Sequence, residues 1–400
     1  MGSRRATRIA PDADPATKRR ALFAVFLTIC VSLIGFGIVI PLLSFYAQQF
    51  QASELQVGLL FASFSVAQLV ASPVLGDWSD RWGRRPVLIM SLLGSAVSFV
   101  MLALAGNLFW VFLSRIVDGF TGGNITTARA YIADISDPKE RARNFGLIGA
   151  AFGLGFILGP ALGGGLAQFG LAVPAWTAAG ISLVATFLAW WWLPETIHQP
   201  ASRRVSPWRE MPRMFRHPRI GLLLWVNLLM WLAFATYQTT FPLFANKRFN
   251  LGPVEIGYIL AVVGFVGVLC QVGLVGRAVA RFGERKTLLV GMLFNTVGLL
   301  GAAFSPALWE FYGFVMVATV GGSLSLPSFT SILSQSVEAQ EQGRLQGVSG
   351  SLESLARVVA PIVGNGMLAY SLSVPYALSA VILLGALVLA MRIPLKSGNP

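Results

Sequence analysis

Five ionisable side chains stand inside long apolar stretches of this 400-residue chain: Arg115, Asp118 and Arg129 in one stretch, Glu353 and Arg357 in another. Charge in a hydrocarbon setting is costly, so such residues mark proton, ion or ligand pathways by default. Arg115 and Asp118 are three apart and share a helix face; Glu353 and Arg357, four apart, do the same. Asp118 lies about 13 Å into its helix at 1.5 Å per residue, near mid-depth in a bilayer. A carboxyl there has two states to choose between. Beside Arg115 it stays ionised; out of reach of that cation, desolvation favours the neutral acid and it takes a proton. A change of surroundings would therefore load and unload a proton on Asp118, with Arg115 tuning it. Two readings stay open for Glu353 and Arg357: a pair that neutralises itself and fixes packing, or a pair that assists proton coupling. A third reading makes Arg115 and Arg357 ligands of an organic anion, sugar or other metabolite. Arg129 falls close to the inner mouth, where pairing with Asp134 or an inner-loop acid is expected.

The elements that hold these residues follow from composition. Charged residues are 12% of the chain, against about 25% in a soluble domain. Apolar residues are 55%, gathered in blocks of the roughly 20 residues that a helix needs to cross the hydrocarbon layer. Lipid offers the backbone no hydrogen-bond partners, so the blocks fold as helices, and they are too long and uniformly apolar for barrel strands. Twelve blocks run from 21–47 to 374–392, with helix 2 at 55–77, helix 3 at 86–106, helix 4 at 109–133, helix 5 at 143–168, helix 7 at 219–244, helices 8 and 9 at 254–275 and 287–304, and helix 11 at 344–369. The expected fold is an all-α membrane protein. It has a cytoplasmic segment 1–20, a six-helix half 21–193, a cytoplasmic linker 194–218, a second six-helix half 219–392 and a cytoplasmic tail 393–400.

The formal charge of +13 is distributed over one set of loops, whereas the opposite side carries only Lys247 and Arg248. Basic loops stay on the cytoplasmic side, which puts both termini there and demands an even number of crossings. The partner of this charge is the lipid bilayer, not nucleic acid, because the arginines are spread over every inner loop. The first apolar block is too long for a signal-peptide core and is read as a retained helix. Cys30 and Cys270 both sit inside helices and imply no disulfide framework.

Aromatics and amides on helices 5 and 7 suit an amphipathic small-molecule substrate: Phe152, Phe156, Asn227, Trp231, Tyr237 and Gln238. Each also has an ordinary packing role open to it. No phosphate-binding glycine loop, metal-ligand cluster or paired nucleophile stands out, and His198 and His217 both fall in the linker. No cofactor, no metal and no enzymatic activity are expected.

The chain repeats itself. The segment Gly76-Asp77-Trp78-Ser79-Asp80-Arg81-Trp82-Gly83-Arg84-Arg85 aligns with Gly276 to Arg285, with Gly, Arg and Gly in register; Arg143 to Gly146 aligns with Arg344 to Gly347, and Gly159-Pro160 with Ala360-Pro361. Two six-helix halves in parallel orientation are a known transporter plan, with the substrate site between them.

At this point the sequence resembles the major facilitator superfamily over nearly its whole length. Gly76, Asp80, Arg81, Gly83, Arg84 and Arg85 match that family's signature between helices 2 and 3, read here as a short turn. The resemblance implies a gating role for them, with Asp80 as a latch; Arg129 and Asp134 join the gating set at the same inner surface. The second copy has Ala280 where the first has Asp80. In helix 5, Gly155, Gly159, Pro160, Gly163 and Gly164 resemble the glycine-rich motif of drug:proton antiporters; small residues there let helices approach closely. Arg115 with Gly119 fits the family's helix-4 pattern, in which the arginine is linked to proton transfer. Segments 130–135 and 140–146 are similar to tetracycline-efflux proteins. That group's intramembrane aspartates of helices 1, 3 and 9 fall here on Ser32, Ser98 and Asn295, all neutral, which points away from tetracycline and from a helix-1 proton carrier. The resemblance implies proton-coupled efflux of small amphipathic or hydrophobic compounds by alternating access, through a monomer in a bacterial inner membrane.

Overall fold

The computed structural model describes residues 8–9, 14–122, 124–136, 140–196, 207–337 and 341–393. Parts of the expected N-terminal segment, linker and tail, including Arg4, Arg5, Arg203, Arg204 and Lys396, lie outside the described residues.

The helices are α1 (Pro15–Gln49), α2 (Glu54–Trp82), α3 (Arg84–Ala103), α4 (Leu108–Thr121), α5 (Asn124–Ile135), α6 (Arg141–Ala167) and α7 (Ala172–Trp192), then α8 (Pro207–Arg216), α9 (Pro218–Phe249), α10 (Pro253–Cys270), α11 (Gly276–Phe304), α12 (Leu308–Ser334), α13 (Gln342–Leu368) and α14 (Val374–Met391). A two-residue parallel ladder joins β1 (Arg8–Ile9) to β2 (Glu195–Thr196). Among the described residues nine helical stretches are long and apolar enough to cross a membrane. One of them, Pro253–Phe304, is two crossings: the first runs from α10 through a π-helical turn, Gln271–Val275, into the start of α11, and the second begins where α11 turns at Gly283. The other crossings are α4 followed by α5, each too short alone, and α13, which carries Arg344, Glu353 and Arg357. The all-α, twelve-crossing expectation is met.

Three local features differ from the expectation. Helix 4 is not continuous: it breaks at Gly122, which no longer has helical backbone angles, and the Gly122 carbonyl freed by the break accepts from Gln68 Nε2 at 3.0 Å. Glycine's freedom makes the break inexpensive. The signature between helices 2 and 3 is not a loop. Gly76, Asp80 and Arg81 are still inside α2, and a single residue, Gly83, turns the chain into α3. Its φ of 106° and ψ of 161° belong to a region that only glycine occupies readily. Gly283 repeats this in the second half at φ 78° and ψ 160°, inside α11. Finally, the linker contains α8, whose last turn carries Arg213 and Arg216. Phe215 of α8 packs edge-on against Trp225 of α9 at 5.4 Å.

The chain divides into two compact units. One comprises Met1–Ala52, Ser63–Arg203 and Leu251–Ala261; the other comprises Ser53–Ala62, Arg204–Asn250 and Val262–Pro400. The first unit's core is built by α1, α3, α5, α6 and α7 around the fully buried Leu88, Leu92, Tyr131 and Ile132. Within it, the glycines of the helix-5 motif are packing devices. A Cβ on Gly159 would lie 2.6 Å from Gly37 Cα of α1, one on Gly163 2.5 Å from the Ile38 carbonyl, and one on Gly155 2.7 Å from Leu33 Cβ. Spaced four apart, they form one smooth face on which α1 lies backbone to backbone. Gly164 faces elsewhere, with its Cβ position 2.8 Å from Gly257 Cα of α10. Pro160 lies within α6, which continues past it.

Candidate functional site

Asp118 sits one turn before the break in helix 4, and its two carboxylate oxygens have different partners. Ser95 Oγ of α3 donates to Oδ1 at 2.8 Å, and Arg115 Nη1 donates to Oδ2 at 3.1 Å. Both charged residues are only 3% exposed. The i, i+3 spacing brings Arg115 and Asp118 together without help from another element; the contact with Ser95 requires α3 to pack on α4. Gly119 permits the close approach of α2, since a Cβ there would lie 2.4 Å from the Phe64 carbonyl. Arg115 also lies over the Phe99 ring at 5.5 Å. Its Nη2 has no hydrogen-bond partner among the described residues. Ser98, at the helix-3 position, donates to the Ser95 carbonyl at 2.9 Å. The arrangement gives a carboxylate two donors in a dry interior and ties one of those contacts to the registry of α3 and α4.

A second cluster surrounds the Gly83 turn. Arg84 Nε donates to Asp134 Oδ2 at 2.9 Å, and its Nη1 donates to Ser79 Oγ at 3.0 Å and to Asp80 Oδ1. Thr196 Oγ1 also donates to Asp134, at 3.1 Å. Of the two partners expected for Arg129, Asp134 or an inner-loop acid, Asp134 is taken by Arg84: residues five apart fall on different faces of a helix, and Arg129 is on the exposed face of α5. Arg81 pairs with Asp77 at 3.0 Å on the open surface, while Gly76 is half-buried in α2. Arg85 donates to the Trp190 carbonyl at the end of α7. Glu195 completes the cluster. Its Oε1 accepts from the backbone N–H of Arg84 at 2.9 Å and of Arg85 at 3.4 Å, capping α3 from a distant part of the chain. The second half repeats the frame with different chemistry. Arg285 donates to the Met391 carbonyl as Arg85 does to Trp190, but Glu284 replaces Arg84 and accepts from Ser331 Oγ and, at 3.0 Å, from Gln335 Nε2.

In the other unit, two ladders of residues four apart meet. On α9 these are Asn227 and Trp231; on α13 they are Ser349, Glu353 and Arg357. Asn227 Nδ2 donates to Ser349 Oγ at 3.0 Å, and Ser349 Oγ donates to Glu353 Oε1 at 3.4 Å. Glu353 and Arg357 stand 3.9 Å apart, and the Arg357 guanidinium lies 4.7 Å above the Trp231 ring. Four residues that sequence reasoning assigned to two different roles thus form one group. Tyr237 does not join them; it packs against Phe241 and Tyr376, each at 5.7 Å. Gln238 is half-buried. Phe152 and Phe156 stack on each other along α6 at 6.3 Å, with Phe156 40% exposed.

Sequence reasoning missed Ser95, Ser349 and Glu195. A serine in an apolar helix carries no signal of its own. Glu195, in Pro194-Glu195-Thr196 directly after a helix, could have been found as an acid positioned to cap something nearby.

The fold belongs to one class of protein. The sequence matches the Major Facilitator Superfamily over residues 25–274 and again over 271–399, and the chain belongs to that family. Among similar proteins, the tetracycline resistance protein, class C, of Escherichia coli is 33% identical over 362 residues, covering 88% of this chain and 91% of that one. Multidrug resistance protein 2 of Bacillus subtilis (strain 168) is 27% identical over 385 residues, covering 94% and 95%. The crystal structure of the human organic anion transporter MFSD10 (TETRAN) superposes with a TM-score of 0.71 at 22% identity, covering 94% of this chain and 100% of that one. A bacterial homologue of the human lysosomal transporter Spinster gives 0.76 at 16% identity, covering 95% and 97%. Both solved structures share the fold.

Proposed function

We propose that this chain is a proton-coupled exporter of small amphipathic and hydrophobic compounds, working by alternating access as a monomer in a cell's inner membrane with both termini cytoplasmic. The observation that carries the reading is the Asp118 carboxylate, 3% exposed and held by Arg115 and Ser95. A buried ion pair often costs more in desolvation than it returns in attraction, so it is poor material for stability alone. Its value lies in having two states. With both donors in place the carboxylate is ionised; when α3 and α4 shift and the donors separate, the neutral acid is favoured and a proton is taken up. The break at Gly122, one turn away, lets α4 move without carrying α5 with it. Export fits the similarity to resistance proteins named for tetracycline and for multiple drugs. The residues around Gly83, from Gly76 and Asp80 to Arg85 and Asp134, serve as the gate's inner hinge in this reading.

Proton movement in inverted vesicles, followed with a pH-sensitive dye during addition of a compound panel, tests the assignment. Wild type should release protons on addition of a substrate, and Asp118→Asn should not. Full proton-driven transport by Asp118→Asn would remove Asp118 from the mechanism.

A further inference from the structure

The turn at Gly283 repeats the turn at Gly83 in backbone but not in charge. Arg281, Gly283 and Arg285 stand where the first half has Arg81, Gly83 and Arg85. Arg285 donates to the Met391 carbonyl as Arg85 donates to that of Trp190. In the first half, acids balance the cations. Asp77 pairs with Arg81, Asp80 and Asp134 hold Arg84, and Glu195 stands over Gly83. At the matching places of the second half, Asp77 gives way to Arg277, Asp80 to Ala280 and Glu195 to Leu395, which lies outside the described residues. Pro86 gives way to Lys286, and Trp192 to Arg392.

The exchange leaves cations without internal counterions. Among the described residues, Arg277, Arg281, Arg285, Lys286 and Arg392 have no carboxylate partner. Glu284, the acid in this turn, accepts instead from Ser331 and Gln335 of α12. Arg277 and Arg281 are four apart, so like charges share a helix face where the first half has an ion pair. Such a pair is destabilising unless an anion from outside joins it. The surface is open to one: Arg277, Arg281, Lys286 and Arg392 are exposed, and a Cβ on Gly283 would meet nothing within 4 Å.

Apolar side chains border these cations. Phe282 is 56% exposed and lies under the Arg281 guanidinium, 5.5 Å from its central carbon. In the preceding π-helical turn Val272 is 84% exposed, and Arg277 reaches back to the Gly273 carbonyl at 2.7 Å. Cations beside exposed apolar residues at the end of a crossing fit a partner that is anionic at one end and apolar at the other. We propose that the Gly283 turn binds the phosphate headgroup of an anionic phospholipid, with Arg277 and Arg281 taking phosphate oxygens and an acyl chain lying along Val272 and Phe282. Lys286 and Arg392 add attraction at the same surface. The lipid supplies the counterion that Asp77 supplies within the first half. Only the orientation is shared with the exporter reading: cytoplasmic termini put this turn in the inner leaflet.

The test is native mass spectrometry of the full chain, released from detergent micelles that hold equal amounts of phosphatidylglycerol and phosphatidylcholine with the same acyl chains. Wild type should retain phosphatidylglycerol about tenfold over phosphatidylcholine, and Arg277→Gln combined with Arg281→Gln should bring that ratio close to one, as expected for two cations at a lipid surface. Arg277→Asp should do the same by rebuilding the ion pair of the first half. Arg281→Lys should keep most of the preference, and Arg81→Gln should leave it near wild type. Because each value is a ratio within one spectrum, loss of folded protein does not imitate the effect. A wild-type ratio near one, a ratio unchanged by the double substitution, or an equal fall with Arg81→Gln would overturn the site. Displacement of the lipid by equimolar glycerol phosphate would also overturn it, in favour of a site for free phosphate. Orientation is read separately: a membrane-impermeant maleimide should label Lys286→Cys above the wild-type background in inverted vesicles and not in intact cells. Labelling in intact cells with the lipid preference intact sinks the orientation alone; labelling confined to inverted vesicles without the preference sinks the lipid site alone.

Discussion

Ser95 and Asp118 are joined by a 2.8 Å hydrogen bond between neighbouring helices, α3 and α4, whereas Arg115 reaches the same carboxylate from within α4. Movement of α3 against α4 can break the first contact and keep the second. Ser95 is thereby the sensor of helix registry at the proposed proton site. Ser95→Ala should lower substrate-driven proton release about tenfold, the equivalent of one hydrogen bond to a charged group at ~1.5 kcal/mol. Ser95→Thr should retain most of it. Unchanged release by the alanine variant would remove Ser95 from the site.

The two glycine turns should differ in their tolerance of a side chain. Gly83 and Gly283 both have backbone angles reserved for glycine, so alanine at either position should cost ~1–3 kcal/mol. At Gly83 the new Cβ would also lie 2.3 Å from Glu195 Oε2, while at Gly283 nothing stands within 4 Å. Thermal unfolding in detergent should therefore fall further for Gly83→Ala than for Gly283→Ala. Equal losses would show that the Glu195 carboxylate yields without cost.

Glu195 should behave as a helix cap although no helix contains it. Its acceptor oxygen serves the first N–H groups of α3, where Gly83 has no side chain to offer. Glu195→Ala should destabilise the protein by about 1 kcal/mol, typical for loss of a capping side chain, and Glu195→Gln by less. The unfolding midpoints of the two variants, measured side by side, decide this.

Within α6, position should decide the effect of one methyl group. Gly159→Ala forces a carbon against Gly37 and the α1 backbone, whereas at Gly149 the same carbon meets nothing within 4 Å. The first substitution should cost about 1–3 kcal/mol, as overpacking does, and the second should leave stability nearly unchanged. Yield and unfolding temperature of the purified variants provide the comparison.

Much of this was legible because a membrane helix follows local rules. Apolar block length predicts crossings, and helical spacing pairs Arg115 with Asp118 and Glu353 with Arg357. The repeat of Gly83 at Gly283 was visible in register and returns as a repeated backbone conformation. The break in helix 4 was not legible, because glycines are common in unbroken membrane helices and tertiary packing decides which ones bend. Proximity in sequence offers Asp134 as one of the partners of Arg129, but the helix turns them apart and Arg84 reaches Asp134 from another element.

The sequence by itself determined the class of fold, the number of crossings, the two-half plan and the mid-membrane charges, since each depends on local hydropathy and spacing. Only the tertiary structure decided the pairing of Ser95 with Asp118, the remote cap on α3 and the union of Asn227, Trp231, Ser349, Glu353 and Arg357 into one group. The physical reason is the same in every case: these contacts depend on which helix faces meet and in what register. That is set by close packing across many residues, so no stretch of sequence holds it alone.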